Sequence, residues 1–248
     1  MNSWLFDLGN TRLKLARLDA EGSPGEVATA AHDGVAFAAG WQDALPSSAE
    51  AAWIASVGPS VLRAQLAEAL AARGARVHYA VTLPRFAGVT VAYADPARLG
   101  VDRLLAMAAA RARDPAAALV VGVGTAITVD LLGSDGRHRG GRIAPSPALM
   151  RDALRQRTPQ LPGEGGDYVE FGDDTASALA SGCIGAALGL VERSIRQARA
   201  LLGVAPRLCL HGGGAVALYA HLGQAEHAPA LVLEGLALWA QRVGHDAD

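Results

Sequence analysis

Apolar residues run almost unbroken through "SWLFDL" (3–8), pause at Gly9-Asn10-Thr11, and resume in "RLKLARL" (12–18). The pattern predicts two strands joined by a glycine turn. A short buried strand follows in "AAWIASVG" (51–58) and stops at a Gly-Pro break. "SVLRAQLAEALAARG" then carries apolar positions at helical spacing, with Gly74 as its expected C-cap. "ARVHYAV" reads as another strand. Beyond Pro84 and the loop "YADPARLG", a helix is expected from near Asp102 to the break at Asp114-Pro115.

The same grammar restarts in the second half. "AALVVGVGTAITVDLLG" (117–133) is strand, Gly-Thr turn, strand. Laid on the first hairpin, Asp7-Leu8-Gly9-Asn10 falls on Gly122-Val123-Gly124-Thr125, an internal repeat of one supersecondary unit. "GGRIAPSPALMRDALRQRT" predicts a strand end, a loop and a helix, and "TASALASGCIGAALGLVERSIRQARALLG" a long apolar helix with small residues on one face. "PRLCLHGGGAVALYAHL" reads as strand, glycine turn, helix, and "LVLEGLALWAQRV" as a last helix. The expected division is two α/β lobes, 1–114 and 115–248, each opening with a strand–turn–strand unit. A Rossmann sheet would run strand, glycine loop, helix, whereas residues 14–18 keep strand character. No G-x-x-x-x-G-K-[ST] occurs, which excludes a P-loop.

Composition narrows the class. Of 248 residues, 51% are hydrophobic and 19% charged, enough apolar side chains for a sizeable core. The net charge of −2 and the lack of a basic block argue against nucleic acid as partner. Cys183 and Cys209 make neither a disulfide framework nor a metal cluster and read as reduced thiols. With no run of about 20 uninterrupted apolar residues and no basic leader, the expectation is a soluble cytoplasmic protein. Lys14 is the sole lysine among 22 basic residues, and reads either as a site that needs a compact ammonium or as a solvated residue on a strand.

Four stretches carry candidate chemistry. In Asp7-Leu8-Gly9-Asn10-Thr11, glycine allows close backbone approach, the N–H groups with Asn10 and Thr11 can donate to phosphate oxygens, and Asp7 is a hard-oxygen ligand for Mg²⁺, directly or through water. A tight hairpin with an Asx-type bond is the structural alternative. In "GVDRLLAM" (100–107), Asp102 is either a helix N-cap or a base that takes the proton of an attacking hydroxyl, with Arg103 neutralising charge beside it. Gly124-Thr125 and "HGGGAV" (211–216) are further phosphate-cradling candidates, with "GGRI" (140–143) and Thr175 weaker ones. His211 reads as a strand-end residue, not a metal ligand.

In order along the chain these pieces are Asp-x-Gly-Asn-Thr-x-x-Lys, Ser56-Val57, Gly-x-Asp-Arg, Gly-Thr-Ala-x-Thr-x-Asp, Gly-Gly-x-Ile, a Thr-led helix and a late Gly-Gly. That series closely resembles the type III pantothenate kinases, also known as Bvg accessory factor homologues, from Asp7 to Leu233-Glu234-Gly235-Leu236. The resemblance implies a two-lobed actin-like (ribonuclease H-like) α/β kinase fold, as in actin, heat-shock 70 ATPases and the acetate and sugar kinases. It also implies ATP-dependent formation of 4′-phosphopantothenate from pantothenate, the first step of coenzyme A synthesis, by a homodimer. Carried over, Asp7, Leu8, Gly9, Asn10, Thr11, Arg12, Leu13, Lys14 and Thr125 would bind ATP, with Asp7 near Mg²⁺. Asp102 would be the base, and Tyr93, Gly100, Val101, Asp102, Arg103 and Thr175 would contact pantothenate.

Three departures accompany the resemblance. Family members often carry an Asp, ligand to potassium or ammonium, where this chain has Gly122. Ser146 ends the Gly-Gly-x-Ile-x-Pro-Gly pattern in place of glycine, and His211 stands where a threonine often precedes the glycine pair. Rival expectations are a kinase of the same superfamily acting on a sugar or another small hydroxyl or carboxylate acceptor, and a non-catalytic nucleotide-binding regulator.

Overall fold

The computed structural model of the chain describes residues 2–245. The first half runs β1 (Ser3–Leu8), β2 (Arg12–Arg17), β3 (Ala28–Ala31), β4 (Ala51–Ser56), α1 (Ser60–Ala71), β5 (Arg76–Tyr79), the small hairpin β6 (Arg85–Phe86) and β7 (Val89–Thr90), and α2 (Val101–Arg113). The second half runs β8 (Ala118–Val123), β9 (Ala126–Leu132), β10 (His138–Pro145), α3 (Pro147–Arg157), α4 (Thr175–Leu202), β11 (Arg207–His211), α5 (Ala215–Tyr219), β12 (Ala225–His227) and α6 (Leu231–His245).

The repeat inferred from sequence is a repeat of sheet plan. One sheet has the order β3-β2-β1-β4-β5, the other β10-β9-β8-β11-β12. In each, the first three strands form an antiparallel meander and the last two add in parallel to the far side of the opening strand. β1 is therefore central and covered on both faces, which explains its near-continuous apolar run. Phe6 and Leu8 pack with Leu13, Leu15, Ile54, Leu62, Leu66 and Leu70 in a core under α1. Leu5 and Asp7 alternate to the opposite face.

Contacts divide the chain into Met1–Asp114 with Ala230–Asp248, and Pro115–Pro229. This corrects the expected 115–248 lobe, because the last helix returns to the first unit. The cause is local: a Cβ built at Gly235 would stand 2.1 Å from the Leu105 carbonyl oxygen, so α6 crosses α2 backbone to backbone through a residue without a side chain. Glu234 beside it receives a two-pronged ion pair from Arg113 at 2.7 and 2.6 Å, and Trp239 packs on Phe86 with ring centroids 5.0 Å apart.

In the second unit the core lies between its sheet and α4, with Val121, Ile127, Val129, Ala187, Val191 and Leu210 at its centre. α4 is long and apolar enough to cross a membrane by length and composition. Here Leu179, Cys183, Ala187, Val191 and Ala198 form its buried face, a helical i, i+4 stripe.

Candidate active site

Asp7 and Lys14 face each other across the first hairpin as register partners of β1 and β2. They sit on the sheet face opposite the Phe6–Leu8 core, at the end of the strand. Burial pushes the Asp7 carboxyl up to about 7; the Lys14 ammonium opposes that rise and the Asp102 charge adds to it. Asp102, almost a hundred residues away in sequence, thus shares an electrostatic site with Asp7 and Lys14.

The turn beyond Asp7 is held from three sides. The Gly9 amide donates to the Arg12 carbonyl at 3.1 Å, and the Val57 and Gly58 amides both donate to the Leu8 carbonyl at 3.1 Å. His32 adds a ring nitrogen 3.1 Å from the Gly9 carbonyl and a backbone amide on the Thr11 carbonyl at 3.2 Å. The sequence reading missed His32, which follows a weak alanine-rich strand; the only cue was a polar residue before Asp33-Gly34. Asn10, Thr11 and Arg12 are exposed. Leu8 and Leu13 are fully buried under α1, so of the Asp7–Lys14 stretch these two offer a ligand backbone alone.

Asp102 is not the N-cap of α2. Gly100 holds that position, without a side-chain cap, and Asp102 lies in the first turn, where its carboxylate accepts the Arg103 amide at 2.9 Å. A Cβ at Gly100 would be 2.5 Å from that carboxylate oxygen, so the glycine leaves the acid room to fold back. The preceding loop is fixed by Thr82, whose hydroxyl donates to the Leu99 carbonyl at 2.7 Å, and by Asp95 capping the Ala97 amide at 3.1 Å. Arg103 is buried, donates to the Tyr93 hydroxyl at 3.2 Å and lies 5.9 Å from that ring's centroid. Tyr93, Asp102 and Arg103, assigned together from sequence, are brought together in space. Val101 is buried at the helix start.

In the second unit, Thr125 sits in the β8–β9 turn, which closes through the Gly124 amide on the Ala126 carbonyl at 2.9 Å. Its own carbonyl accepts the Ser146 amide at 3.3 Å. Ser146 has φ −69 and caps α3, its hydroxyl accepting the Leu149 amide at 3.2 Å. The serine that departs from the glycine pattern therefore needs no left-handed backbone and gains a cap. His211 ends β11 as expected and shares a rung with Gly122. Thr175 is exposed in the first turn of α4, behind the capping carboxylate of Asp174.

The donor set suits one metal and not another. A desolvated carboxylate with a second acid nearby and one ammonium gains from a further cation, and Mg²⁺ characteristically takes one or two carboxylates plus phosphate oxygens and water. Among the described residues no three His, Cys, Asp or Glu side chains converge as a cage, so Asp7 is the protein group that would hold such an ion. A monovalent cation does not fit at residue 122, which offers no carboxylate, and the space above it is taken by the His211 ring.

Solved structures place the fold. The chain overlays a Baf family protein of Campylobacter jejuni, named a transcriptional activator, with TM-score 0.65 at 19% identity, covering 98% of this chain and 99% of that one. The ADPNP-bound activator of 2-hydroxyisocaproyl-CoA dehydratase from Clostridium difficile gives 0.52 at 10% identity, covering 100% and 97%. AMPPNP-bound MreB 5 of Spiroplasma citri gives 0.51 at 12%, covering 99% and 97%. The duplicated sheet plan is that of the actin-like ATPases and kinases. Within that class, a sequence model described as type III pantothenate kinase matches residues 4–197. A type III pantothenate kinase of Stenotrophomonas maltophilia (strain K279a) is 52% identical over 241 residues, 97% of this chain and 98% of the relative. One from Xanthomonas campestris pv. campestris (strain B100) is 49% identical over 240 residues, 97% and 98%. The chain belongs to the type III pantothenate kinase family.

Proposed function

We propose that this protein transfers the γ-phosphoryl group of ATP to the 4′-hydroxyl of pantothenate, the opening step of coenzyme A synthesis. The observation that carries the reading is the convergence of Asp7, Lys14 and Asp102 beside the Arg103–Tyr93 pair, in a chain of this family. Asp102 accepts the hydroxyl proton as that oxygen forms its bond to phosphorus. The bond from phosphorus to the β,γ-bridging oxygen breaks, and ADP leaves with the electron pair. Lys14 and the exposed Asn10–Arg12 part of the turn neutralise phosphate charge, as does the Thr125 turn on the nucleotide. Mg²⁺ at Asp7 would supply further charge neutralisation when bound. Arg103, positioned by Tyr93, orients the acceptor with Val101 and the Gly100 backbone, and Thr175 supplies another acceptor contact.

The finer features of this reading are a homodimer and a cytoplasmic setting. An apolar groove of about 730 Å³ between α3 and α4, lined by Leu149, Met150, Leu154, Leu179 and Cys183, supports self-association through that face. Both cysteines are buried and outside any disulfide, as a reducing compartment allows. The net charge of −2 gives no electrostatic footprint for a nucleic-acid partner.

The test is ATP-dependent phosphorylation of pantothenate by the purified protein beside Asp102→Asn. Turnover should fall about 10²–10⁴-fold in the variant with ATP binding retained. Folded protein that binds ATP yet leaves pantothenate untouched would sink the assignment and point to another acceptor.

A further inference from the structure

Gly122, near the end of β8, pairs with Thr128 of β9 on one side and His211 of β11 on the other. Side chains on one rung of neighbouring strands point to the same sheet face. With nothing on the middle residue, the outer two close over it. A Cβ at Gly122 would lie 2.8 Å from Cε1 and 2.8 Å from Nε2 of His211, and 2.8 Å from Oγ1 of Thr128. The imidazole edge and the hydroxyl thus fill the volume that a ligand-bearing side chain at 122 would need.

This rung lies between two loops that the nucleotide reading uses. Two residues on is the Gly124-Thr125 turn. His211 itself is the last residue of β11 and leads into Gly212-Gly213-Gly214, where the Gly214 amide donates to the Val123 carbonyl at 3.0 Å and clamps the loop to the same strand. A cation here would need a cavity and oxygen ligands, with anionic charge to repay its lost hydration. The rung offers an imidazole and a neutral hydroxyl in space already filled.

We propose that the His211 side chain stands in for the monovalent cation that the family resemblance implies, bracing the Thr125 turn against the Gly212–Gly214 loop, so that this protein turns over with neither potassium nor ammonium. The proposal makes His211 a positioning residue for the nucleotide and rests on the reading of the chain as an ATP-dependent kinase.

The experiment is steady-state kinetics of the full chain with Mg·ATP and pantothenate in potassium, ammonium or tetramethylammonium chloride at equal ionic strength. For the wild type, kcat and the KM for ATP should agree within about twofold across the three salts, a difference smaller than one hydrogen bond is worth. His211→Thr should raise the KM for ATP roughly tenfold with little change in kcat and no response to potassium, while His211→Gln, which keeps a planar donor, recovers most of that loss. Gly122→Asp with His211→Thr restores a carboxylate and clears the ring. That double variant should gain selective activation by potassium of about tenfold or more.

Activation of the wild type by potassium beyond about fivefold, an unaltered KM in His211→Thr, or a folded double variant indifferent to potassium would each overturn the proposal. Should the double variant not fold by thermal unfolding, the wild-type salt comparison and the two single variants decide. Binding of a fluorescent ATP analogue in the same salts separates the two hypotheses. Analogue binding without pantothenate turnover condemns the acceptor assignment and still reports the cation response, and salt-sensitive analogue binding by the wild type condemns the role given to His211.

Discussion

Asp7 shows how one side chain can be costly to the fold and necessary to a site. Its carboxyl, ordinarily at 3.8, is pushed to about 7 by burial, against the pull of Lys14. Between those values the folded protein holds a proton that the unfolded chain has released. The contribution of this group to stability is therefore most favourable below about 3.8 and is lost as pH rises through 7. Asp7→Asn removes that dependence. In magnesium-free, nucleotide-free buffer, urea unfolding should find the variant about 1–3 kcal/mol more stable than the wild type at pH 8, with the gap narrowing toward pH 5. A gap independent of pH would show that the carboxyl titrates normally. The same variant should lose Mg·ATP binding, the pattern expected where function and stability pull on one residue in opposite directions.

At the scale of elements, the decisive contact is the crossing of α2 and α6. Gly235 and the Leu105 backbone occupy space that admits no further carbon. Gly235→Ala would force the helices apart and should lower stability by about 1–3 kcal/mol, although alanine is the better helix former by about 1 kcal/mol. Chemical denaturation measures the sign; a stabilised variant would mean that the crossing relaxes freely. Elements of this kind divide what the sequence made legible from what it did not. β1, the Gly9 turn and β2 stood out because a central strand covered on both faces must be apolar, and because glycine punctuates it. The helix from Thr175 to Leu202 stood out by its length and by Gly203 at its end, where φ is 73. β3, β6, β7 and β12 did not, since "ATAA", two-residue strands and "AEH" carry little β-propensity and are fixed by their neighbours.

Across the whole molecule, the sequence showed the duplication but not the path of the chain. The repeat lies in sheet order, which periodicity could suggest because each half restarts with strand, glycine turn, strand. The allocation of α6 depended on a close approach between residues 105 and 235, and no local pattern encodes such a pairing. The candidate site divides the same way. Asp7, Lys14, Asp102 and Arg103 were visible as residue types in motifs, whereas the His32 brace on Gly9 and the His211 ring over Gly122 exist only in the folded chain. A chain ending at Pro229 should retain a folded second unit, while the first, deprived of the helix that crosses α2 at Leu105, becomes open to protease. Limited proteolysis should yield a resistant fragment near 115–229, and equal resistance in both units would refute the dependence.

The return of α6 also sets a schedule for the chain as it is made. Residues 1–114 leave the ribosome first, yet their layer is unfinished until residue 230 and beyond have followed. At about 5–20 residues per second, synthesis of the intervening segment takes on the order of ten seconds. Through that interval the face of α2 awaiting its partner is bare, and the later-made unit, continuous in sequence, can close first. The unit made later is thereby free to fold before the unit begun earlier, the reverse of the usual N-terminal-first order.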